Sequence, residues 1–147
     1  MKSELYQKAK YIAEHDDVKT KKDCLVLFSI SFLPTKENKE RAFNHIAENP
    51  KKQMSDHTPC GKKLEEMNLS AHPDQISEAE IYEIWHIASQ RLIQGASGNI
   101  TAFVDNSHPR STFRTVELPA ILSNDKITTI NFRDKKEFTP LISAEVV

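Results

Sequence analysis

The stretch FVDNSHPRSTFRTVELP, Phe103 to Pro119, decides how the second half of this chain is read. Within it, TFRTVEL (112–118) puts Thr112, Arg114, Val116 and Leu118 on one parity and Phe113, Thr115 and Glu117 on the other. Its β-branched and aromatic residues favour a strand. NITAFV (99–104) has the same character, so the two segments predict a hairpin with DNSHPRS as its connection. Pro119 ends the second strand and limits extension as a helix, because a proline inside a helix loses an amide hydrogen bond and clashes with the preceding turn. A short helix, PAILSND, follows, with Pro119 tolerated in its first turn. KITTINF (126–132) reads as a third strand, and FTPLISAEVV as an edge strand or a loosely packed tail.

Upstream, the pattern is mainly helical. Leu5, Ala9, Ile12 and Ala13 recur at helical spacing over residues 3–15, with Ser3 placed to cap the start. CLVLFSISF (24–32) carries a wholly apolar row, Val26, Phe28, Ile30 and Phe32, and reads best as a central strand, with a buried helix as the alternative at this length. A helix over 36–48, capped by Thr35, offers Ala42, Phe43, Ile46 and Ala47 for packing before Pro50 stops it. Residues 49–75 form an irregular connecting region with a short helix at KKLEEMNL. The clearest element is the helix 77–94. Ser77 and Glu80 have capping-box spacing, and Ile81, Ile84, Trp85, Ala88 and Leu92 share a face with Trp85 as the core anchor. Gly95 follows at the position where left-handed backbone is cheap.

Helices early and strands late predict an α+β fold. The expectation is a single compact domain over residues 1–147, with N-terminal and central helices packed against a small, mainly antiparallel sheet. The composition, 38% apolar and 28% charged, is that of a globular chain. A net charge of -1 removes the global signature of a nucleic-acid binder. No apolar run is long enough to span a bilayer, and MKSELYQKAKY lacks a signal-peptide core. A cytoplasmic location is the default, and secretion by a signal-independent route leaves the same sequence. Residues 64–83 hold Glu65, Glu66, Asp74, Glu78, Glu80 and Glu83 with no Lys or Arg, which is a solvated face or a dock for a basic partner.

Two classes of function fit these residues. In the first, a small enzyme acts on a phosphate-containing substrate, RNA or a nucleotide, by metal-independent cleavage or by transfer at a nucleotide glycosyl centre. His108 and Glu117 are its candidate acid and base. Arg110, Ser111, Thr112 and Arg114 are its candidate substrate-binding residues, since guanidinium groups bind phosphate through directed, paired hydrogen bonds. His86 and Tyr82, four residues apart on the helix 77–94, are supporting candidates provided that this face meets the 105–117 region. In the second class, the polar run is a turn connection, Asp105, Asn106 and Ser107 serve as turn formers, and the chain is a protein-binding, immunity-like or regulatory module. No cofactor is expected: there is no GxxxxGK loop, and GASGN (95–99) follows a helix, unlike a dinucleotide fingerprint. No metal is assigned either, because His57, Cys60 and His72 lack the paired spacing of a structural zinc site.

Overall fold

The computed structural model describes residues 2–29, 37–105, 107 and 110–138. Among them the chain forms, in order, α1 (Glu4–His15), β1 (Val26–Phe28), α2 (Glu37–Glu48), α3 (Pro59–Met67), α4 (Glu78–Gln94), β2 (Gly98–Phe103), a π-helical turn (Phe113–Glu117), α5 (Leu118–Ser123), β3 (Ile127–Ile130) and β4 (Arg133–Asp134). Helices and one sheet are both present, as an α+β reading requires. The sheet is mixed rather than mainly antiparallel. Its order is β1-β2-β3-β4, with β1 and β3 parallel to β2 and only the short β4 antiparallel to its neighbour. Parallel neighbours need a crossover, which α2, α3 and α4 supply between β1 and β2, and α5 between β2 and β3.

The expected hairpin between 99–104 and 112–118 does not form. Residues 112–123 are helical throughout, and the five-residue π turn sits immediately before Pro119. In an α-helix the proline ring would collide with the carbonyl four residues back, that of Thr115. Here the ladder widens first: the Leu118 amide donates to the Phe113 carbonyl, five residues earlier. Pro119 then occupies the first turn of α5, as expected for that helix. Within the π turn, Thr115 Oγ1 donates to the Ser111 carbonyl at 2.8 Å, the back-bond to residue i−4 that helical Thr side chains make.

The helices form where their sequences call for them. The Ser3 hydroxyl accepts from the Tyr6 amide to start α1, which buries Tyr6, Ala9, Ile12 and Ala13. On α4 the capping box is complete, with Ser77 Oγ accepting from Glu80 N at 3.1 Å and the Glu80 carboxylate accepting from Ser77 N at 2.9 Å. Its buried face is Ile84, Ala88, Leu92 and Ile93, each Leu or Ile contributing about 1.5–3 kcal/mol by leaving water. Trp85 is half-buried at the edge of this core rather than its anchor. Gly95 ends α4 in right-handed backbone (φ -91°), so the left-handed cap expected there is absent. Positive φ falls at Gly98 (φ 78°) instead, where a Cβ would overlap the Asp23 carboxylate that accepts from Asn99 N. Arg91 satisfies the last carbonyls of α1, donating to Ala13 O at 2.6 Å and Asp16 O at 2.9 Å.

Both sheet faces are covered. Leu25, Leu27, Ile100, Ala102, Ile127 and Ile130 belong to the main core with α1, α3, α4 and α5. Val26, Phe28 and Phe103 pack on the other side against Ala42 and Ile46 of α2. β1 is an end strand and not a central one. It reads as central because helices bury both of its faces, while at its outer edge Gln53 exchanges backbone hydrogen bonds with Val26 and Cys24. The short helix inside 49–75 is α3, capped by Thr58, whose hydroxyl accepts from Gly61 N. The expected strand residues 30–32, the cap at Thr35 and the tail from 139 onward lie outside the described residues. No helix among the described residues is long and apolar enough to cross a membrane.

Candidate functional site

A cavity of about 360 Å³ lies beside β1, where α2, the turn at Ser55–His57, α3, α4 and the π turn meet. In sheets with parallel strands and crossover helices, ligand sites gather outside the carboxyl ends of the strands, and Phe28, the last residue of β1, lines this cavity. Asn38 holds α2 in place over these strand ends. Its buried amide donates to the carbonyls of Ser29 at 2.8 Å and Asp105 at 2.7 Å, joining the chain just beyond β1 to the chain just beyond β2. Arg41, one turn further along α2, pairs with the Asp105 carboxylate at 3.0 Å.

Glu117 is the chemical centre of the cavity. It is 8% exposed, ends the π turn and lines the space together with Thr112. Five residues separate the two, which is the spacing that the i→i+5 hydrogen bonding of a π turn brings to one side. The Glu117 carboxyl forms no hydrogen bond or ion pair among the described residues. Burial alone pushes its pKa up to about 7, since desolvation disfavours the charged form. Glu65 of α3 also lines the cavity; burial and then the neighbouring Asp56 carboxylate raise its pKa, while Lys39 pulls it down. The aromatic part of the lining comes from Phe28, Phe43 and Trp85. Phe28 and Phe43 have ring centroids 6.1 Å apart, and Lys39 Nζ lies 5.9 Å from the Phe43 ring.

The other sequence candidates divide between places. Arg114 does not line the cavity; its Nε donates to the buried Ser107 hydroxyl at 3.0 Å, which fixes the entry to the π turn. Ser111 accepts from the Arg114 amide at 3.3 Å and acts as a local cap. Arg110 is exposed, two residues before Thr112. His108 and Asn106 lie outside the described residues. Tyr82, His86 and Gln90 do meet the segment that follows the loop, but in a second, open groove of about 1120 Å³, shared with Thr115, Val116 and Pro119. There the Tyr82 and His86 rings are 6.1 Å apart, and Tyr82 is 63% exposed. The face of α4 carrying Trp85 and Ser89 reaches the Glu117 cavity, whereas the face carrying Tyr82 and His86 reaches the groove. His86 and Glu117 therefore do not share a site.

Sequence reasoning does not find the other groups that line this cavity: Glu65 reads as part of the acidic run and Trp85 as the core anchor, and Asp56 carries no signal of its own. The available signal was the unusually apolar β1 run, whose end marks the cavity once the strands are known to be parallel.

The metal candidates disperse. His57 Nδ1 accepts from Met54 N at 2.9 Å, and the buried Cys60 thiol donates to Ile12 O at 3.4 Å with its pKa raised by burial. No group of three or more His, Cys, Asp or Glu among the described residues is placed to hold a metal ion. The acidic run is in part neutralised across the α1–α4 contact. Glu80 pairs with Lys2 at 3.1 Å, and Glu83 accepts from the Tyr6 hydroxyl and lies 3.9 Å from Lys10.

No family model matches the chain, and comparison with curated proteins and with solved structures returns no significant similarity.

Proposed function

We propose that the protein is a small enzyme acting on a nucleotide, with Glu117 as its general acid or base and the glycosyl centre as the point of reaction. The carrying observation is the Glu117 carboxyl: buried, without a hydrogen-bonding or ionic partner among the described residues, and lining a cavity of small-ligand size with a pKa near neutrality. A group with such a pKa exchanges protons readily at physiological pH. A structural carboxyl buried to this degree is ordinarily paired.

The charge of the lining favours the glycosyl centre over phosphodiester cleavage. Among the described residues, the cavity holds the carboxyls of Asp56, Glu65 and Glu117 against one cation, Lys39. Phosphodiester cleavage develops negative charge, which such a wall repels. Departure of a base from a sugar carbon develops positive charge, which carboxylates stabilise. Arg110 and Arg114 bracket Thr112 in sequence and are assigned to the phosphate groups outside the cavity.

The test is to incubate the protein with nucleotide and RNA pools and to resolve the products by chromatography and mass spectrometry. The expected result is release of a free base from a nucleotide, reduced at least about 100-fold by Glu117→Gln, the usual scale of general acid–base catalysis. Unchanged pools, or equal release by the variant, would overturn the reading. The competing reading, a protein-binding or regulatory module, draws on the open groove and its exposed Tyr82, and it predicts unchanged pools.

A further inference from the structure

We infer that the Glu117 cavity recognises a positively charged heteroaromatic ring, so that the nucleotide it takes carries its base as a cation. The inference rests on the glycosyl reading above and narrows its substrate class. Three observations support it. Aromatic faces attract cations through their quadrupole, and Trp85, Phe28 and Phe43 all contribute to one lining. The Phe43 face already has an ammonium, Lys39 Nζ, 5.9 Å from its centroid. The same lining holds three carboxyls, the exposed Asp56 and Glu65 and the buried Glu117, which has no partner among the described residues and whose charge a neutral purine or pyrimidine would leave uncompensated.

The chemistry follows from the charge. When the ring nitrogen bonded to the sugar is cationic, the C1′–N bond breaks with its electron pair passing to that nitrogen, and the ring leaves neutral without being protonated. Water adds through its oxygen to the sugar C1′, and its surplus proton passes to the Glu117 carboxylate. One base therefore suffices, in keeping with a cavity whose single deeply buried acid is Glu117. Loss of the ring's charge on cleavage also removes its attraction to the aromatic and acidic walls, so the product leaves more readily than the substrate binds.

The single tryptophan of the chain lines the cavity, so its fluorescence reports binding directly. The probes are 1-methylnicotinamide, methylated on the ring nitrogen and so a permanent pyridinium cation, and nicotinamide, its neutral counterpart. The expected result is saturable quenching by the cation, with affinity at least about 10-fold above that for the neutral ring, a difference on the scale of a desolvated cation–π contact. Glu117→Gln and, separately, Glu65→Gln should each weaken the cation and leave nicotinamide unchanged. Glu65 is solvent-exposed, so its variant keeps the test open should the Glu117 variant misfold. Linear, non-saturating quenching, equal affinity for both probes, or cation binding indifferent to both variants would each overturn the inference. The two readings fail separately. Saturable cation binding without base release removes the enzyme and keeps the site, whereas base release confined to neutral nucleosides removes the charge selectivity and keeps the enzyme.

Discussion

Replacing Glu117 by glutamine should make the protein progressively more stable relative to wild type as pH rises from acid to alkaline. In the folded state Glu117 keeps its proton until about pH 7, against an ordinary value of 4.5. The unfolded chain thus releases a proton that the folded chain retains, and stability falls as pH rises across that window. The favourable state is fully present below the unfolded pKa and is lost as pH passes through the folded one. The gap corresponds to about 3 kcal/mol, approached above neutral pH. Glutamine cannot ionise, so the variant lacks this slope. A buried amide adds a constant offset, which makes the change with pH the diagnostic quantity rather than its absolute value. Urea unfolding followed by Trp85 fluorescence at about pH 4, 5.5, 7 and 8.5 would give the difference directly. The variant-minus-wild-type stability should be flat near pH 4 and then climb by about 3 kcal/mol, roughly 6–12 °C in Tm for a domain of this size. Other titrating groups are common to both proteins and largely cancel. A difference independent of pH, or one that shrinks as pH rises, would refute the burial argument and with it the neutral pKa on which the proposed chemistry depends.

Asn38→Ala should cost about 2–4 kcal/mol, because it abandons the buried carbonyl of Ser29 and the half-buried one of Asp105 together; a loss below about 0.5 kcal/mol in urea unfolding would show that α2 is held by other contacts. Gly98→Ala should destabilise by more than about 1 kcal/mol, since φ is 78° and a Cβ would overlap the Asp23 side chain; an unchanged Tm would contradict that geometry. Phe132→Gly should stabilise by up to about 1 kcal/mol, because this residue is 82% exposed and held at φ 64° in the β3–β4 turn, and a lower Tm would mean that its ring makes contacts the argument omits.

The helices were legible because their signals are local. Ser77 and Glu80 satisfy each other's amides three residues apart, so no tertiary information is needed to place the start of α4. The sheet was less legible. A parallel register is set by crossovers, and nothing in NITAFV or KITTINF states which way its neighbour runs. The Cys24–Phe32 run looked central because burial on two faces and a central position leave the same apolar signature. Glu117 itself was picked out; of the residues named with it, Thr112 lines the same cavity, Arg114 does not, and His108 lies outside the described residues. A strand's period of two pairs it with Phe113 and Thr115, whereas the π turn pairs it with Thr112. From 112–118 alone, the β-branched residues and the following proline argue for extension. What overrides them is the widened turn before Pro119 and the burial of Phe113 against the rest of the core, where its ring centroid lies 6.1 Å from that of Phe138.

That failure of local reasoning falls at the place where the chemistry is proposed, and the coincidence has a physical basis. A sequence optimised only for folding would neither widen a helix into a π turn nor bury a carboxyl that has no partner among the described residues; each departs from local preference, and the carboxyl alone costs about 3 kcal/mol above neutral pH. The two departures are coupled. The π turn lets Pro119 enter α5 without collision, and it also places Glu117 on the same side as Thr112, facing the cavity. Removing Pro119 should therefore act on the site as well as on the helix. In Pro119→Ala the turn is free to contract to α geometry, which would rotate Glu117 relative to Thr112 and bring its carboxyl toward solvent. The helix should gain stability while the pH-dependent loss assigned to Glu117 shrinks. If instead the full pH slope persists in that variant, the turn is held by packing around Phe113 and Ile121, and the proline is a consequence of the π geometry rather than its cause.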